Sequence, residues 1–409
     1  STPIKSSAAS DVYKRQLLQD RLIADTEHLL DAVPEAAGVR LLTNGTSDVQ
    51  KLQALYPGVR FTEHPSTLED GYLVLRKEFL GDWRLEAEES LSLFESSATA
   101  DSDPAITGNP DSVIHAKGLV HRFGSFVAVD KTDFDVARGE IFGLLGPNGA
   151  GKTTTFKMLC GLLEVSEGEL CVAGIDVRHA REKARELLGY MSQKFSLYLD
   201  MTVFENLDFY AGMYGLKGEE KYARIEEMIE QMNLKDKRNE FSGNLSGGLK
   251  QRLALGCAIL HKPRLLFLDE PTSAVDPISR RSFWQIIHAL AIGGTTMVVT
   301  THFMEEAEHC DEMVFLDAGK MVAEGSPKKL KDSIKGTLVS IASDDSIKLR
   351  EEIKKRIPVE DAYIFGRELR VLVAPQDLPL LSDWQYKIIE PTMEDVFSYY
   401  LDKKGGGKV

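Results

Sequence analysis

The stretch that decides the fold is Gly146-Pro147-Asn148-Gly149-Ala150-Gly151-Lys152-Thr153. It matches the phosphate-loop pattern G-x-x-x-x-G-K-[ST] at every defined position. The run Glu140 to Leu145 before it predicts a buried strand, and Thr153 to Leu162 after it predicts a helix. Glycines let the backbone turn so that its N–H groups face one point, and the helix adds its partial positive end. The stretch therefore predicts an anion-binding loop between a strand and a helix.

Two side chains of this loop carry the expected chemistry. Lys152 can reach the terminal phosphates of a nucleotide, and the Thr153 hydroxyl can ligate Mg²⁺. A glycine-rich turn with an incidental lysine is the alternative, and the strand and helix in their expected order argue against it. The residues predicted to line the nucleotide here are Gly146, Pro147, Asn148, Gly149, Ala150, Gly151, Lys152, Thr153 and Thr154.

The composition is that of an ordinary globular protein. The 409 residues, 43% hydrophobic and 27% charged, leave room for two or three domains. Lys and Arg number 49 and Asp and Glu 63, and the resulting net charge of −14 argues against broad nucleic-acid binding. The cysteines have no metal-ligand spacing and are predicted to be small core residues in a reducing compartment: Cys160, Cys171, Cys257 and Cys310.

No stretch of the sequence predicts a membrane span or a secretory signal. The longest uncharged run, Trp284 to Met304, contains Gly293-Gly294 and divides into a helix end, a turn and a strand. If this protein works at a membrane, we expect it to act from the cytoplasmic surface and through another chain.

The rest of the chain divides by composition and periodicity. Ser1 to Gln16 lacks apolar periodicity and is predicted to be a cloning-derived leader or a disordered tip. Leu17 to Leu30 predicts a helix with its leucines on one side, and Phe204 to Met232 predicts a long helical stretch. From Val113 onward strands alternate with helices, which implies a largely parallel sheet. The predicted segments are a leader (1–16), a small first domain (17–80), a polar and acidic linker (81–112), the main domain (113–335), a small α+β domain (336–402) and a tail (403–409).

An internal repeat connects the two small domains. Val59 to Tyr72 resembles Lys387 to Phe397, because each runs from a strand through Pro and a hydroxyl residue into Leu/Met-Glu-Asp at a helix start. Upstream, Val39-Arg-Leu-Leu pairs with Arg370-Val-Leu-Val. The alternative is a chance capping motif. We favour a chain that begins in the tail of a first copy of the same unit, with the head of that copy and its nucleotide site absent.

Two motifs downstream of the loop complete a constellation. Leu265-Leu-Phe-Leu-Asp269-Glu270 is an apolar strand that ends in two carboxylates. Such a strand delivers Asp269 beside the loop to hold Mg²⁺, and Glu270 can polarise a water for attack on a γ-phosphate. Leu245-Ser246-Gly247-Gly248 is a turn that opens a helix and is a second cluster of amides ready for an anion, although plain N-capping by Ser246 also explains it.

The chain contains a phosphate loop, a Leu-Ser-Gly-Gly turn and an Asp-Glu pair, in this order. With these motifs it resembles the ATP-binding cassette (ABC) ATPases, over roughly Val113 to Leu330. The resemblance implies an α/β P-loop NTPase fold with a RecA-like parallel core sheet, an antiparallel β subdomain and a helical signature subdomain, here followed by a small α+β unit. It implies ATP and Mg²⁺ as ligands, with Thr153, Gln193 and Asp269 at the metal. The further residues that it implies are Phe123 on adenine, Gln193 in the Gln loop, Ser246, Gly247, Gly248 and Asp276 at the opposite subunit, and His302 at the γ-phosphate.

One departure is Leu249, where the commonest signature has Gln, and it puts a peripheral nucleotide contact in doubt. The stretch after Gln193, Phe195 to Leu207, and the tail Pro391-Thr-Met-Glu-Asp-Val-Phe resemble the cassettes of bacterial ABC-2-type exporters. Their tandem form, with two cassettes on one chain serving a multidrug-type exporter, also accounts for the internal repeat.

The resemblance implies a mechanism in which two cassettes sandwich ATP head to tail. One supplies Lys152, Thr153, Gln193, Asp269, Glu270 and His302, and the other supplies Ser-Gly-Gly. The implied partners are a second cassette, either the missing first one or another copy of this chain, and an integral membrane permease at the inner face of the cell membrane. The alternatives are a ribosome-associated tandem ATPase, whose class usually has a long charged helical arm between cassettes, and a regulatory protein that binds nucleotide without turnover.

Overall fold

The computed structural model describes residues 3–6, 22, 25, 28–35, 38–43, 49–57, 59–63, 66, 70–71, 74–75, 112–193, 197–273 and 275–404. The predicted linker lies outside the described residues except for Ser112, where a strand begins. The chain divides into two compact units, Ser1–Met321 and Val322–Val409. The domain boundaries proposed from the sequence stay predictions.

The strands are β1 (Pro3–Ser6), β2 (Leu29–Glu35), β3 (Gly38–Thr43), β4 (Phe61–Glu63), β5 (Ser112–Phe123), β6 (Phe126–Ala137), β7 (Ile141–Leu145), β8 (Glu167–Val172), β9 (Ile175–Asp176), β10 (Leu188–Met191), β11 (Leu265–Asp269), β12 (Thr296–Thr301), β13 (Glu312–Asp317), β14 (Lys320–Gly325), β15 (Thr337–Ala342), β16 (Asp361–Phe365), β17 (Glu368–Val373) and β18 (Tyr386–Ile388).

The α-helices are α1 (Val49–Leu55), α2 (Lys152–Leu159), α3 (Arg181–Glu186), α4 (Val203–Met213), α5 (Gly218–Gln231), α6 (Gly247–Ile259), α7 (Pro277–Ile292), α8 (Pro327–Asp332), α9 (Ser346–Arg356) and α10 (Met393–Lys404). Short 3-10 turns span Lys235–Lys237, Ser242–Asn244, Met304–His309 and Pro375–Leu381.

A six-stranded sheet carries the predicted phosphate loop, in the order β10-β11-β12-β7-β13-β14. The strands from β10 to β13 in this order pair in parallel. β7, β11 and β12 are buried along their whole length. Strands of parallel sheets are covered on both faces and are therefore continuous apolar runs, which is why periodicity could predict β7 and β11. The helix after the loop packs on this sheet, and its Phe156 ring meets Phe267 edge-on at 5.5 Å.

An antiparallel sheet in the order β6-β5-β8-β9 lies beside the parallel one. β5 and β6 form a long hairpin whose last register pair joins Phe123 to Phe126. Phe134 of β6 stacks on Phe142 of β7 with ring centroids 5.2 Å apart, so the two sheets share a core. The antiparallel β subdomain that the resemblance implies is thus present.

The helical part between β10 and β11 differs from the prediction in one respect. The single helical stretch predicted over 204–232 is wrong, because the chain leaves the helix between α4 and α5. Leu216 N donates to Ala211 O and Gly215 N to Gly212 O, both at 3.0 Å, and these bonds end α4. α6 packs against α4 and β10, which connects this region to the parallel sheet.

A second four-stranded sheet, in the order β2-β3-β1-β4, lies near the beginning of the chain. The prediction of a disordered leader is wrong at Pro3–Ser6, which is β1 and pairs with β3 and β4, because backbone pairing requires no apolar periodicity. The rest of 1–16 lies outside the described residues. The predicted helix over 17–30 is wrong at Leu29 and Leu30, which begin β2 because pairing with β3 overrides helical periodicity. Its other residues lie outside the described ones, apart from Leu22, Asp25 and His28.

The second unit contains an antiparallel sheet in the order β16-β17-β15-β18. Leu349 and Ile353 of α9 belong to its core. The unit contains both strands and helices, as predicted for a small α+β domain. α10 continues to Lys404, so the predicted tail begins inside a helix, and residues 405–409 lie outside the described residues.

The two small sheets share one strand order and one pairing pattern. In each, the strand that is first in the chain lies between the third and the fourth, and the second pairs with the third. The first hairpin closes with Glu35 opposite Gly38, and the second closes with Phe365 opposite Glu368. Counted from these pairs, Arg40 and Arg370 are each the third residue of their strand. The two arginines are therefore equivalent, and the predicted pairing of Val39 with Arg370 is wrong by one residue.

Candidate functional site

The phosphate loop is closely packed at its first glycine. Gly146 has a φ of 148°, and a Cβ on it would lie 2.1 Å from the Leu316 carbonyl oxygen, so a side chain is excluded there. The loop then leads into α2, whose N-cap is Gly151. Lys152 begins the helix and turns its ammonium back to the loop, where Nζ donates to Gly146 O at 2.7 Å and to Pro147 O at 3.0 Å. The loop is thus held together by its own lysine.

Lys152 is 4% exposed, and it faces acidic residues of the next motif. Its Nζ lies 4.0 Å from Oε1 of Glu270. Burial lowers the pKa of the Lys152 ammonium, and the Glu270 and Asp269 carboxylates oppose that shift. Thr153 is exposed on the first turn of α2, next to this cluster in sequence.

The two carboxylates at the end of β11 are held by a strand that sequence analysis did not single out for this role. Thr300 of β12 donates from Oγ1 to Asp269 Oδ1 at 2.6 Å. The same hydroxyl accepts from Glu270 N at 2.9 Å. Burial raises the pKa of the Asp269 carboxyl, and the Thr300 hydrogen bond opposes the shift. Thr300 therefore binds the Asp269 carboxylate and the Glu270 backbone from the neighbouring strand.

Glu270 has a left-handed backbone with a φ of 45°. A residue other than glycine pays about 1–3 kcal/mol for such a conformation, and it persists only where the surroundings impose it. The hydrogen bonds from Glu270 N to the carbonyl and the hydroxyl of Thr300 impose it here.

Two further predicted residues converge on Glu270. Gln193, which follows β10, donates from Nε2 to Glu270 Oε2 at 2.8 Å. His302, which follows β12, places Nδ1 3.2 Å from the same oxygen, in a geometry that does not make a hydrogen bond. His302 keeps a third of its side chain exposed, so the cluster has an open side. The parallel sheet explains the convergence, because β10, β11 and β12 end at the same edge.

A second group of predicted residues lies where α6 meets α7. Ser246 caps α6 by accepting from Leu249 N at 3.4 Å. Asp276 caps α7 by accepting from Ile278 N and Ser279 N, each at 3.1 Å. Burial acts to raise the pKa of Asp276, but the hydrogen bonds from Ser279 and Ile278 outweigh it and lower the pKa. Gly248 allows the close approach, since a Cβ there would lie 2.2 Å from Ser279 Oγ.

Phe123 stands at the tip of the β5–β6 hairpin with 53% of its surface exposed. Its ring meets His121 edge-on at 4.4 Å. Among the residues that the structure describes, contacts join Lys152, Gln193, Glu270 and His302, and Thr300 adds Asp269. Phe123, Ser246 and Asp276 have contacts of their own outside this cluster.

Thr300 and Gln251 are the residues of the site that sequence analysis missed. Gln251 is buried in α6, and its Nε2 donates to the carbonyl of Pro271, directly after Glu270. This bond connects α6 to the residues that directly follow β11. Gln251 stands three residues after Gly248, but its role depends on packing that no local pattern shows.

Comparison with known proteins gives the family. A family model described as "ABC transporter" matches residues 129–273. The chain is 39% identical over 246 residues to the "Nod factor export ATP-binding protein I" of Burkholderia lata, an alignment that covers 60% of this chain and 81% of that protein. The chain belongs to the ATP-binding proteins of ABC transporters. It carries an ABC-type ATPase domain that binds ATP.

A second relative is longer than this chain. The "Probable multidrug ABC transporter ATP-binding protein YbhF" of Escherichia coli (strain K12) is 52% identical over 227 residues, which cover 55% of this chain and 39% of YbhF. The chain thus spans about two fifths of that relative's length.

Solved cassettes support the fold. A structure described as the ATP-binding subunit of an ABC transporter matches with a TM-score of 0.50 at 28% identity, over 54% of this chain and 92% of that one. The structure of cbiO1 from Clostridium perfringens, described as part of an ABC transporter complex, matches with a TM-score of 0.51 at 23% identity. The match covers 61% of this chain and 96% of that one, and it shows the fold alone. The predicted α/β cassette fold is confirmed. Over the described part of the chain, no helix combines the length and the apolar character that crossing a bilayer requires.

Proposed function

We propose that this chain hydrolyses ATP to power an ABC-2-type exporter through a separate membrane-spanning partner. The observation that carries the proposal is the convergence of Lys152, Gln193 and His302 on the Glu270 carboxylate, at 4.0, 2.8 and 3.2 Å. A lysine for phosphate, a carboxylate for water and two polar side chains to orient that carboxylate are the parts that phosphoryl transfer to water requires.

Glu270 is proposed as the general base. Its carboxylate takes a proton from the water that attacks the γ-phosphate, while Gln193 fixes the direction of the carboxylate through its 2.8 Å hydrogen bond. His302 is proposed to contact the γ-phosphate from the half-exposed side of the cluster. Lys152 is proposed to leave the loop carbonyls and bind the terminal phosphates, which brings positive charge to the transferred group.

The residues present fit a magnesium ion. Mg²⁺ prefers oxygen ligands, binds through one or two carboxylates and substrate phosphates, and keeps several waters. Asp269 uses Oδ1 to accept from Thr300, and Gln193 uses its amide nitrogen toward Glu270. The Thr153 hydroxyl, the second Asp269 oxygen and the Gln193 amide oxygen are therefore the proposed ligands. The ion would neutralise phosphate charge in the nucleotide complex.

In the proposal, one cassette supplies only half of the residues of an ATP site, and a second cassette supplies the other half. In the proposed arrangement, Gly146 to Thr154 and Phe123 bind ATP on one cassette, and the Ser246-Gly247-Gly248 turn with Asp276 closes over it from the other. Ser246 already uses its hydroxyl to cap α6. The proposed contact with the nucleotide is therefore made by the backbone amides at the N-terminus of this 13-residue helix. The second cassette is either a preceding one on the same natural chain or another copy.

The tandem form of the proposal is supported by the repeated small sheet. Both copies carry an arginine on the third strand that binds the aspartate of the following Leu/Met-Glu-Asp turn. Arg40 Nη2 lies 2.5 Å from Asp70 Oδ2, and Arg370 Nη1 lies 2.6 Å from Asp395 Oδ1. A shared strand order together with a shared ion pair is difficult to obtain by chance. The export part is supported by the printed names of the relatives, which include multidrug and Nod factor export proteins.

A membrane partner is supported by an exposed apolar surface that follows Gln193 in the chain. It comprises Tyr198, Leu199, Phe209 and Met213, each between 41% and 58% exposed. The Tyr198 and Phe209 rings meet edge-on at 4.7 Å, so these two members of the surface are in contact. Exposed apolar patches of this kind favour protein contacts. We propose that a permease binds here at the cytoplasmic face of the membrane, close to the residue that orients Glu270.

The experiment that tests the function is nucleotide binding and phosphate release by the purified chain with and without Mg²⁺. We expect ATP binding in both cases, slow release that requires Mg²⁺, and a specific activity that rises with protein concentration because two copies complete a site. Lys152→Ala should abolish tight binding, and Lys157→Ala, an exposed lysine of the same helix, serves as the control. Absence of adenine-nucleotide affinity in the presence of Mg²⁺ would contradict the proposal.

A further inference from the structure

A buried carboxylate lies outside the proposed catalytic set. Glu306 is in the 3-10 turn Met304–His309, four positions after His302, and is 2% exposed. Lys, Glu, Arg and Asp are almost never buried so completely without a partner. The contacts of Glu306 therefore indicate its role.

Glu306 binds the segment that follows Glu270. Thr272, itself 1% exposed, donates from Oγ1 to Glu306 Oε1. Arg280 of α7 places Nε 3.7 Å from the same oxygen. Thr272 stands between Glu270 and the segment Ser273 to Asp276, and Arg280 lies in the first turn after Asp276. Glu306 Oε1 thus contacts one residue before the segment Ser273 to Asp276 and one residue after it.

The same residues also reach His302. The Arg280 guanidinium lies over the Phe303 ring, 4.7 Å from its centroid. The Phe303 and His302 rings are 4.2 Å apart, and Phe303 N donates to Thr301 Oγ1 at 3.0 Å. Thr272, Glu306, Arg280 and Phe303 therefore form a continuous chain of contacts from the residues after Glu270 to the residues around His302.

A carboxylate in this position is costly to the fold. Burial raises the pKa of Glu306, and the facing Thr272, Thr301, Arg280 and Trp284 side chains oppose the shift. Glu306 Oε2 makes no hydrogen bond within the described structure. A buried ion pair of this kind rarely adds stability over an apolar replacement, and its best-attested role is to fix one arrangement among several.

We propose that Glu306 is a positioning residue for ATP hydrolysis, which holds His302 in place relative to Glu270 by tying the 301–306 segment to the 270–280 segment. The inference rests on the proposed function. Glu306 does not touch the reacting groups in this arrangement. It acts through Thr272 on one side and through Arg280 and Phe303 on the other, so its loss should affect turnover and leave nucleotide binding intact.

The test compares Glu306→Ala with Glu305→Ala, a matched control because Glu305 is the exposed neighbour on the same turn. For Glu306→Ala we expect kcat to fall about tenfold or more and the Kd for ATP to stay within about twofold of the parent, since displaced groups cost rate more than binding. Glu306→Gln keeps an oxygen for the Thr272 hydroxyl, and we expect it to restore kcat to within about threefold of the parent.

A second variant keeps the test decisive if Glu306→Ala does not fold. Thr272→Val removes the donated hydrogen bond at nearly constant volume, and we expect the same selective loss of kcat. Equal kcat for the parent, Glu306→Ala and Thr272→Val would overturn the inference and leave the proposed function standing. A parallel loss of ATP affinity and kcat, without rescue by Glu306→Gln, would assign Glu306 to structure alone. A parent chain that never releases phosphate would overturn the proposed function, and the inference with it.

Discussion

Gln193 and Glu270 are hydrogen-bonded across 77 positions of sequence, with Gln193 Nε2 donating to Glu270 Oε2 at 2.8 Å. The bond connects the residues that follow two neighbouring parallel strands, β10 and β11. His302 follows the next strand, β12, and approaches the same oxygen. Glu270 is thus oriented by groups from both adjacent strands, and its other oxygen faces Lys152.

Replacement of the base should separate binding from turnover. For Glu270→Gln we expect phosphate release to fall by about 10²–10⁴-fold, because general base catalysis contributes that much, while ATP still binds. The trapped nucleotide should stabilise a dimer, measured by size-exclusion chromatography with ATP and Mg²⁺. Glu305→Gln is the matched control. Turnover unchanged from the parent would rule out Glu270 as the base.

Loss of the orienting amide should have a smaller effect. For Gln193→Ala we expect kcat to fall about 10- to 100-fold, since a hydrogen bond to a charged group is worth about 1.5–3 kcal/mol. In the Glu270→Gln background the same change should cost less, because the part of the effect that acts through Glu270 is already lost and only the proposed magnesium contact remains. Multiplicative losses in the double variant would show that Gln193 acts independently of that carboxylate.

Adenine stacking can be tested with two neighbouring aromatic residues. Phe123 and Phe126 are register partners at the hairpin tip and are 53% and 65% exposed. For Phe123→Ala we expect the Kd for ATP to rise about 5- to 100-fold, because stacking of a base on an aromatic ring is worth about 1–3 kcal/mol. Phe126→Ala should leave the Kd close to that of the parent. Equal effects of the two changes would argue against an adenine contact specific to Phe123.

The repeated ion pair should stabilise the small α+β unit. For Arg370→Ala we expect the free energy of unfolding of this unit to fall by about 3–5 kcal/mol, because the change leaves the buried Asp395 without its cation. Arg356→Ala is the control, since its partner Asp383 is exposed, and it should shift the unfolding transition very little. Urea unfolding followed by circular dichroism measures both. Similar small shifts would contradict the assignment.

The raised pKa of Glu306 predicts how stability depends on pH. The folded protein holds this proton more tightly than the unfolded chain, so the contribution of Glu306 is fully present below its ordinary value of 4.5. That contribution is lost as pH rises through the raised value. Glu306→Gln cannot ionise, and we expect its Tm relative to the parent to increase as the pH rises above 4.5. A difference that stays constant or decreases over this range would contradict the shift.

The parts of the fold that could be predicted are those in which local pattern and final environment agree. The core strands β7 and β11 are continuous apolar runs because they are buried on both faces, and motif glycines define the loop itself. The same local information failed for Leu29 and Leu30, whose leucine spacing favours a helix but whose backbone pairs with β3. It also placed the repeat one residue out of register at Val39, because only the strand pairing identifies Arg40 as the equivalent of Arg370.

The candidate site was predictable as a set of residues and not as an arrangement. Motifs named Lys152, Glu270 and His302, and the structure places the lysine and the histidine beside the Glu270 carboxylate. Thr300 could not be found in this way, because its role depends on β12 lying between β11 and β7, and the order of strands in a sheet is not contained in any local stretch. Glu306 was missed for a similar reason, since its partners come from 26 and 34 positions earlier in the chain.

The two hydrogen bonds from Lys152 to the carbonyls of Gly146 and Pro147 have a consequence for the energetics of recognition. A phosphate must replace the two carbonyls as hydrogen-bond acceptors of the Lys152 ammonium. Its measured affinity is therefore the difference in free energy between the lysine bound to phosphate and the lysine bound to the carbonyls. Ligands with weakly charged oxygens gain little from this exchange, whereas a triphosphate gains much. We therefore expect the loop to discriminate among anions by how strongly their oxygens compete with its own carbonyls for the Lys152 ammonium. We expect a neutral metabolite of similar shape to leave the lysine on those carbonyls.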